Sequence, residues 1–157
     1  MRIMKIIFEK RDNLNLELED EAFETPLYTA IKEQATDIAE MLIIEKGVKI
    51  YEAGKSNTSY PLARAAYSGN IKIVNLLLER GAKILPCSLS IGYYDDKSSD
   101  LKIRTMKDAS PIFGAIVNRV DEELVRILIE AGDNPRRVLA DNTNLIYWAV
   151  YIKSFED

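Results

Sequence analysis

The stretch YPLARAAYSGNIKIVNLLLERGAKI, residues 60–84, carries three local signals that agree with one another. Pro61 suits the first turn of a helix, where its missing N–H costs no hydrogen bond, and Leu62, Ala65 and Ala66 then give a narrow apolar face of small residues. Gly69-Asn70 breaks that helix. Ile73, Val74, Leu76, Leu77 and Leu78 give the next one a broader apolar face, until Gly81 supplies a left-handed end. Neither helix can bury its stripe alone, so a helix–turn–helix unit of this kind needs neighbours of the same kind.

The neighbours are present in the chain. The opening motif YPLARAA recurs as TPLYTAI from Thr25, as SPIFGAI from Ser110 and more loosely as NLIYWAV from Asn144. The closing half, NLLLERGA from Asn75, is answered by MLIIEKGV from Met41 and RILIEAGD from Arg126, and weakly by KIIFEKRD from Lys5. Successive openings lie 35, 50 and 34 residues apart, and two of these three intervals sit near the ~33-residue period of ankyrin arrays.

The chain resembles the ankyrin-repeat family, whose consensus opens TPLHxAA and closes LLLExGAxxN. The match covers nearly everything except residues 86–109. What the resemblance implies is an all-α solenoid of helix pairs with β-hairpin fingers projecting from one edge, here with one long inserted finger. The single domain, residues 1–157, then divides into an N-terminal half-repeat and finger (1–24), repeats at 25–59 and 60–85, the inserted finger (86–109), a repeat at 110–143 and a C-terminal half-repeat (144–157). The family's histidine after TPL is replaced by Tyr28, Ala63, Phe113 and Tyr147. Its hydrogen-bond network is therefore expected to be missing, with the stack held by packing.

Composition bounds the function classes. At 157 residues, 47% hydrophobic and 29% charged, the chain is long enough for one well-buried domain. Its net charge of −4 argues against a general affinity for nucleic acid or anionic membrane and makes a basic protein partner the easier one to recognise. The apolar run in MRIMKIIFEKRD is too short and too closely followed by charges for a signal peptide, and no 18 consecutive apolar residues occur, so a cytoplasmic location is expected. Cys87 is the only cysteine, which excludes an internal disulfide or a thiolate cluster and reads as a bystander in a loop. The chain has no histidine, and with it go the usual general base and metal ligand. No GxSxG, HExxH or CxxC motif occurs, so neither catalysis nor a cofactor is expected.

In chain order, residues 2–10 read as the outer helix of a half-repeat, with Ile3, Ile6 and Ile7 on its apolar side. Leu14, Leu16 and Leu18 alternate with polar residues before Asp20-Glu21, a strand-and-turn pattern for the first finger, which is strongly acidic. The repeat opening at Thr25 has Thr25 as N-cap and Pro26 in the first helical turn, and its second helix reads as one residue longer than that of the Tyr60 copy. Gly54-Lys55-Ser56 resembles the end of a phosphate-binding loop, but the glycine required five positions before Gly54 is Lys49, and the segment falls where a finger turn belongs.

About 17 extra residues separate Gly81 from Ser110 relative to the equivalent interval after Gly132. Connections that long inside a compact domain are usually functional or disordered. Ile91, Tyr93 and Tyr94 before Asp95-Asp96, and the alternation of Leu101, Ile103 and Met106 with polar residues, suggest two strands joined by a DDKSS turn. The repeat from Ser110 carries an extra residue between its helices near Val120-Asp121, and Arg136-Arg137 follows it as a basic pair in an otherwise acidic protein. Residues 145–152 supply an inner helix with no outer helix behind it; this segment keeps Trp148, Ile152 and Phe155, which cap the array by aromatic burial, pair with something, or belong to a longer chain.

Carried over from the family, the partner-contact positions are Glu21 and Glu24 with Lys32 and Glu33; Asn57 and Ser59 with Tyr67 and Ser68; Ala109 with Val117 and Asn118; and Val138 and Thr143 with Tyr151. Tyr93, Tyr94, Asp95 and Asp96 join them from the insertion, since Tyr offers large contact area at low entropic cost; the alternative is that both rings pack back onto the neighbouring repeat. The expected function is a non-catalytic protein-binding module that neutralises a basic partner, as small bacterial immunity proteins do with a cognate toxin. An effector or adaptor engaging host or regulatory proteins is the alternative, and self-association through Trp148 and Phe155 of the C-terminal half-repeat a third reading.

Overall fold

Proline opens three of the inner helices. In the computed structural model, which describes residues 2–10, 14–22, 24–50, 60–94 and 101–153, α2 (Pro26–Lys32), α4 (Pro61–Tyr67) and α6 (Pro111–Val117) each begin on it. Each is followed by an outer helix: α3 (Thr36–Ile44), α5 (Ile71–Glu79) and α7 (Glu122–Glu130). An unpaired outer helix, α1 (Arg2–Lys10), precedes them, and an unpaired inner helix, α8 (Leu145–Lys153), follows. Between α5 and α6 the chain forms two antiparallel strands, β1 (Cys87–Tyr94) and β2 (Leu101–Ala109), paired from Cys87 opposite Ala109 to Tyr94 opposite Leu101 with an irregularity between Cys87 and Leu89.

The same turn is built three times between inner and outer helix. Ala35, Asn70 and Val120 donate their N–H groups to Ala30, Ala65 and Ala115, and the residue before each, Gln34, Gly69 and Arg119, is left-handed with φ near +55 to +70°. Outer helices stop at a left-handed glycine, Gly47, Gly81 or Gly132, as expected at a helix end. The helices α3 and α5 are both nine residues long, which corrects the expectation of a longer α3. The extra residue falls after the helix, in Glu45-Lys46-Gly47. The third repeat does hold four residues rather than three between its helices.

Inner helices stack on inner helices, α2 on α4, α4 on α6 and α6 on α8, and α3 lies against α5. The core is continuous through the array, from Leu27 and Ile43 through Ile73 and Leu77 to Phe113, Leu124 and Leu128. Packing is supplemented by polar ties between repeats, so the expectation of a stack held by packing alone needs correcting. Asn70 Nδ2 donates to Thr36 Oγ1 at 2.8 Å, Arg80 to the Ile43 carbonyl at 3.0 Å, and Asn118 Nδ2 to the Tyr67 carbonyl at 2.6 Å. Lys72 pairs with Glu40 at 2.6 Å.

Other expectations change with the geometry. On α1 it is Phe8 and Met4 that pack inward, Phe8 beneath the Lys46 ammonium, while Ile3, Ile6 and Ile7 are exposed. Among the described residues 14–22 there are turns but no strand. Leu16 packs on the core while Leu14 and Leu18 face solvent, and Glu17 accepts the Lys49 N–H at 2.9 Å. Cys87 opens β1 and is buried in the core rather than lying in a loop. Burial, reinforced by the Asp133 charge, pushes its thiol up to about 12.

Candidate protein-binding groove

Each inner helix turns one stripe toward the inner helix before it. At Gly114 of α6 a methyl group would lie 3.3 Å from Tyr67 Cβ and 3.5 Å from the Ala63 oxygen, so α6 meets α4 at van der Waals distance along this line. The equivalent stripe of α2 is Pro26, Thr29, Ala30 and Glu33, spaced as neighbours on one helix face. No described helix covers it. Instead it floors an open groove of about 560 Å³, lined as well by Leu18, Glu19, Asp20, Glu24, Ala35 and Ile38.

The groove is apolar below and acidic above. Asp20 Oδ1 accepts the N–H groups of Ala22 and Glu24, both at 2.9 Å, folding the acidic turn over the start of α2. Thr25 Oγ1 accepts the Tyr28 N–H at 3.2 Å and caps the helix. Glu24 holds Lys32 through both carboxylate oxygens, at 2.9 and 3.0 Å, and this hydrogen bond raises the lysine's pKa. Glu19, half-buried, and the exposed Asp20 and Glu33 remain around the groove, and carboxylates gathered in this way favour a cationic ligand.

Of the expected contact residues, Glu24, Lys32 and Glu33 come together here, and Glu21 sits exposed in the adjoining turn. Tyr67 ends α4 half-buried with Arg64 5.1 Å over its ring, and Ser68 follows as the C-cap. Several others serve the fold. Ala109 is wholly buried, Val117 is half-buried against the core, and the Asn118 amide is spent on Tyr67. Thr143 Oγ1 accepts the Trp148 indole N–H at 2.8 Å and donates to Asp141 at 2.6 Å, and Tyr151 stacks on Tyr147. Val138 is exposed and bridges Asn144. Tyr93 and Tyr94 lie at the far end of β1, opposite Lys102 and Leu101. Asn57, Ser59, Asp95 and Asp96 lie outside the described residues, as do the Gly54-Lys55-Ser56 tripeptide and the DDKSS turn.

Sequence reasoning missed Leu18, Glu19, Asp20, Pro26, Thr29, Ala30, Ala35 and Ile38. The stripe of small residues on α2 was the available signal, but nothing local says whether such a stripe is covered.

A second polar cluster anchors the hairpin. Arg104 pairs with Asp141 at 2.6 Å and lies 5.3 Å over the Trp148 ring. Partial burial acts to raise the Asp141 pKa, but hydrogen bonds from the Thr143 hydroxyl and amide, with Arg104 nearby, outweigh it and hold the carboxyl below its ordinary value. Trp148 is itself buried, edge-on to Phe113 at 5.9 Å and to Tyr151 at 5.4 Å. Self-association through Trp148 is thereby corrected: the exposed apolar residues of α8 are Ile146, Tyr147 and Val150, and Phe155 lies outside the described residues.

A family model of ankyrin repeats, in three copies, matches residues 2–86, more than half of the chain. The chain is an ankyrin-repeat protein. The model ends before β1, so the repeats built from α6 to α8 are carried by the chain's own internal repetition. No curated protein matches it. Ankyrin repeats are general protein–protein interaction modules, and the family is in general non-catalytic. Among the described residues of this ankyrin array no group of three or more His, Cys, Asp or Glu side chains is placed to hold a metal ion, and no helix is long and apolar enough to cross a membrane.

Proposed function

We propose that this ankyrin protein binds and neutralises a basic protein, such as a cognate toxin, in the manner of a small immunity protein. The carrying observation is the groove floored by Pro26, Thr29 and Ala30 and ringed by Glu19, Asp20, Glu24 and Glu33. An apolar floor supplies affinity by excluding water, and the acidic rim steers a cationic surface into register and speeds encounter. Blocking an active site asks only for a rigid complementary surface, which a stack tied by Asn70, Arg80 and Lys72 provides. On this reading the long hairpin, with Tyr93 and Tyr94 at its end, is a finger that extends the grip, and the protein works in a cytoplasm.

The test is capture of proteins from a lysate of the source organism on the immobilised chain, in parallel with a Glu19→Lys, Glu33→Lys variant. One stoichiometric basic protein, held by the native chain, released by salt and lost by the variant, supports neutralisation. Several substoichiometric partners would replace it with the effector or adaptor reading. Equal retention by both chains would remove the groove from the interface.

A second reading, self-association, is favoured by the exposed apolar residues at both ends of the array: Ile3, Ile6 and Ile7 on α1 and Ile146, Tyr147 and Val150 on α8.

A further inference from the structure

The chain's own repeats say what packs on the exposed apolar faces of α1 and α8. Aligning the closing motifs puts Ile3 at the place of Ala39, Ile73 and Leu124, and Ile7 at the place of Ile43, Leu77 and Leu128. All six counterparts are wholly buried once an inner helix lies beside their outer helix, whereas Ile3 is 75% and Ile7 41% exposed. The opening motifs put Ile146 at the place of Leu27, Leu62 and Ile112, all buried, yet Ile146 is 73% exposed; Val150, at the place of the buried Ile31 and Ala66, is 65% exposed.

The two deficits are opposite. Among the described residues, the face of α1, together with the groove along α2, has no inner helix beside it, and α8 is an inner helix with no outer helix beside it. We propose that α8 of one copy seats in the groove of a second copy and pairs with its α1, so that the two half-repeats make one composite repeat and join the copies head to tail. This rests on the self-association reading above.

Charge agrees with the direction of stacking. In such an array the last inter-repeat connection of one copy, carrying the exposed Arg136, lies beside the first connection of the next, which carries Glu19, Asp20 and Glu21. A cation there meets Glu19, Asp20 and Glu21, whereas Lys32 beside them is already held by Glu24. The contact joins two different surfaces, so it does not close on itself, and growth continues beyond a dimer. A basic partner and a second copy compete for the same groove.

The experiment is light scattering on residues 1–157 from micromolar to millimolar concentration, with Val150→Asp blocking one end and Ile7→Asp the other. Both positions are exposed, and far-UV circular dichroism of each variant must match that of the native chain. The composite repeat requires a native mass that climbs past the dimer, monomers for each variant alone, and a dimer and nothing larger from their equimolar mixture. Loss of association in Arg136→Glu, steepest at low salt, is the matching charge signature.

A dimer abolished by Val150→Asp but kept by Ile7→Asp would overturn the composite repeat while leaving self-association standing. Monomers at every concentration would overturn association between free chains. A covalent tandem then isolates the pairing itself, since Asp157 followed directly by Met1 leaves five residues between α8 and α1 against the three or four of the natural repeats. Its denaturation midpoint must exceed that of the single chain, with the gain lost when Val150→Asp is placed in the first copy; an unchanged midpoint overturns the proposal.

Discussion

The carboxylate of Asp133 accepts the backbone N–H of Ile112 at 2.8 Å, reaching back 21 residues to close the start of α6. Ser110 occupies the N-cap position there, yet its side chain makes no capping bond, and its Oγ and Asp133 Oδ1 are both buried without a partner. Thr25, in the same place on α2, does cap. Two residues of one sequence motif thus do different work. Asp133→Ala should cost about 1–3 kcal/mol by stranding a buried donor, and Thr25→Ala about 0.5–2 kcal/mol as a lost cap. Ser110→Ala, which removes a buried hydroxyl that has no partner, should be neutral to stabilising. Urea unfolding of the three variants measures the order.

The left-handed turn residue is glycine in one repeat and glutamine in another. Gln34 holds φ +56°, a conformation that costs a side chain roughly 1–2 kcal/mol. Gln34→Gly should therefore stabilise by about 0.5–1 kcal/mol after glycine's own entropic cost, raising Tm by about 1–4 °C. Gly69→Ala should do the reverse, because φ is +71° and the new methyl would lie 3.2 Å from Val120 Cγ1. Thermal melts followed by circular dichroism report both signs.

Trp148 joins α8 to the rest of the array through Phe113, Tyr151, Arg104 and Thr143. Trp148→Ala removes the packing and leaves the Thr143 hydroxyl short of a donor, for a loss of about 3–5 kcal/mol. Trp148→Phe restores most of the volume and should recover more than half. The residue is the only tryptophan, so unfolding of these variants is read by circular dichroism rather than fluorescence.

Cys87 gives the fold a dependence on alkaline pH. Burial raises the folded thiol from 9.0 to about 12, so between those values the unfolded chain has released a proton that the folded chain still holds. This contribution is fully present below pH 9.0 and falls as pH rises toward 12, at up to about 1.4 kcal/mol per pH unit. Cys87→Ala should remove that component, seen as the difference between the two chains' stability-against-pH curves. The native thiol should also resist thiol-specific reagents at pH 8 until the chain is unfolded.

Helix pairs and their ends were legible in the sequence because the signals are local. Pro26, Pro61 and Pro111 open helices and Gly47, Gly81 and Gly132 close them for reasons that need no tertiary context. The groove was not legible, because Pro26, Thr29 and Ala30 look the same whether a helix covers them or not. The failures at Ile3, Ile6 and Ile7 have the same root: periodicity finds an apolar face, and only the neighbouring helix decides whether that face is buried. Leu14, Leu16 and Leu18 alternated as a strand would, but among the described residues nothing pairs with them, and Glu17 is drawn instead to the Lys49 amide. Asn118 and Thr143 looked like contact residues by position, but their polar groups are consumed by Tyr67, Trp148 and Asp141.

Because α4 packs on α6 directly while β1 and β2 run between them, the second and third repeats are neighbours in space without being neighbours in chain. A cut between Tyr94 and Leu101 would leave two pieces that each carry half of the same seam, a strand edge and a helix face. Co-expressed, such pieces have the shape information to find each other again. The array therefore offers a natural place to divide the protein into a two-part reporter, whose reassembly signals that whatever is fused to the pieces has come together.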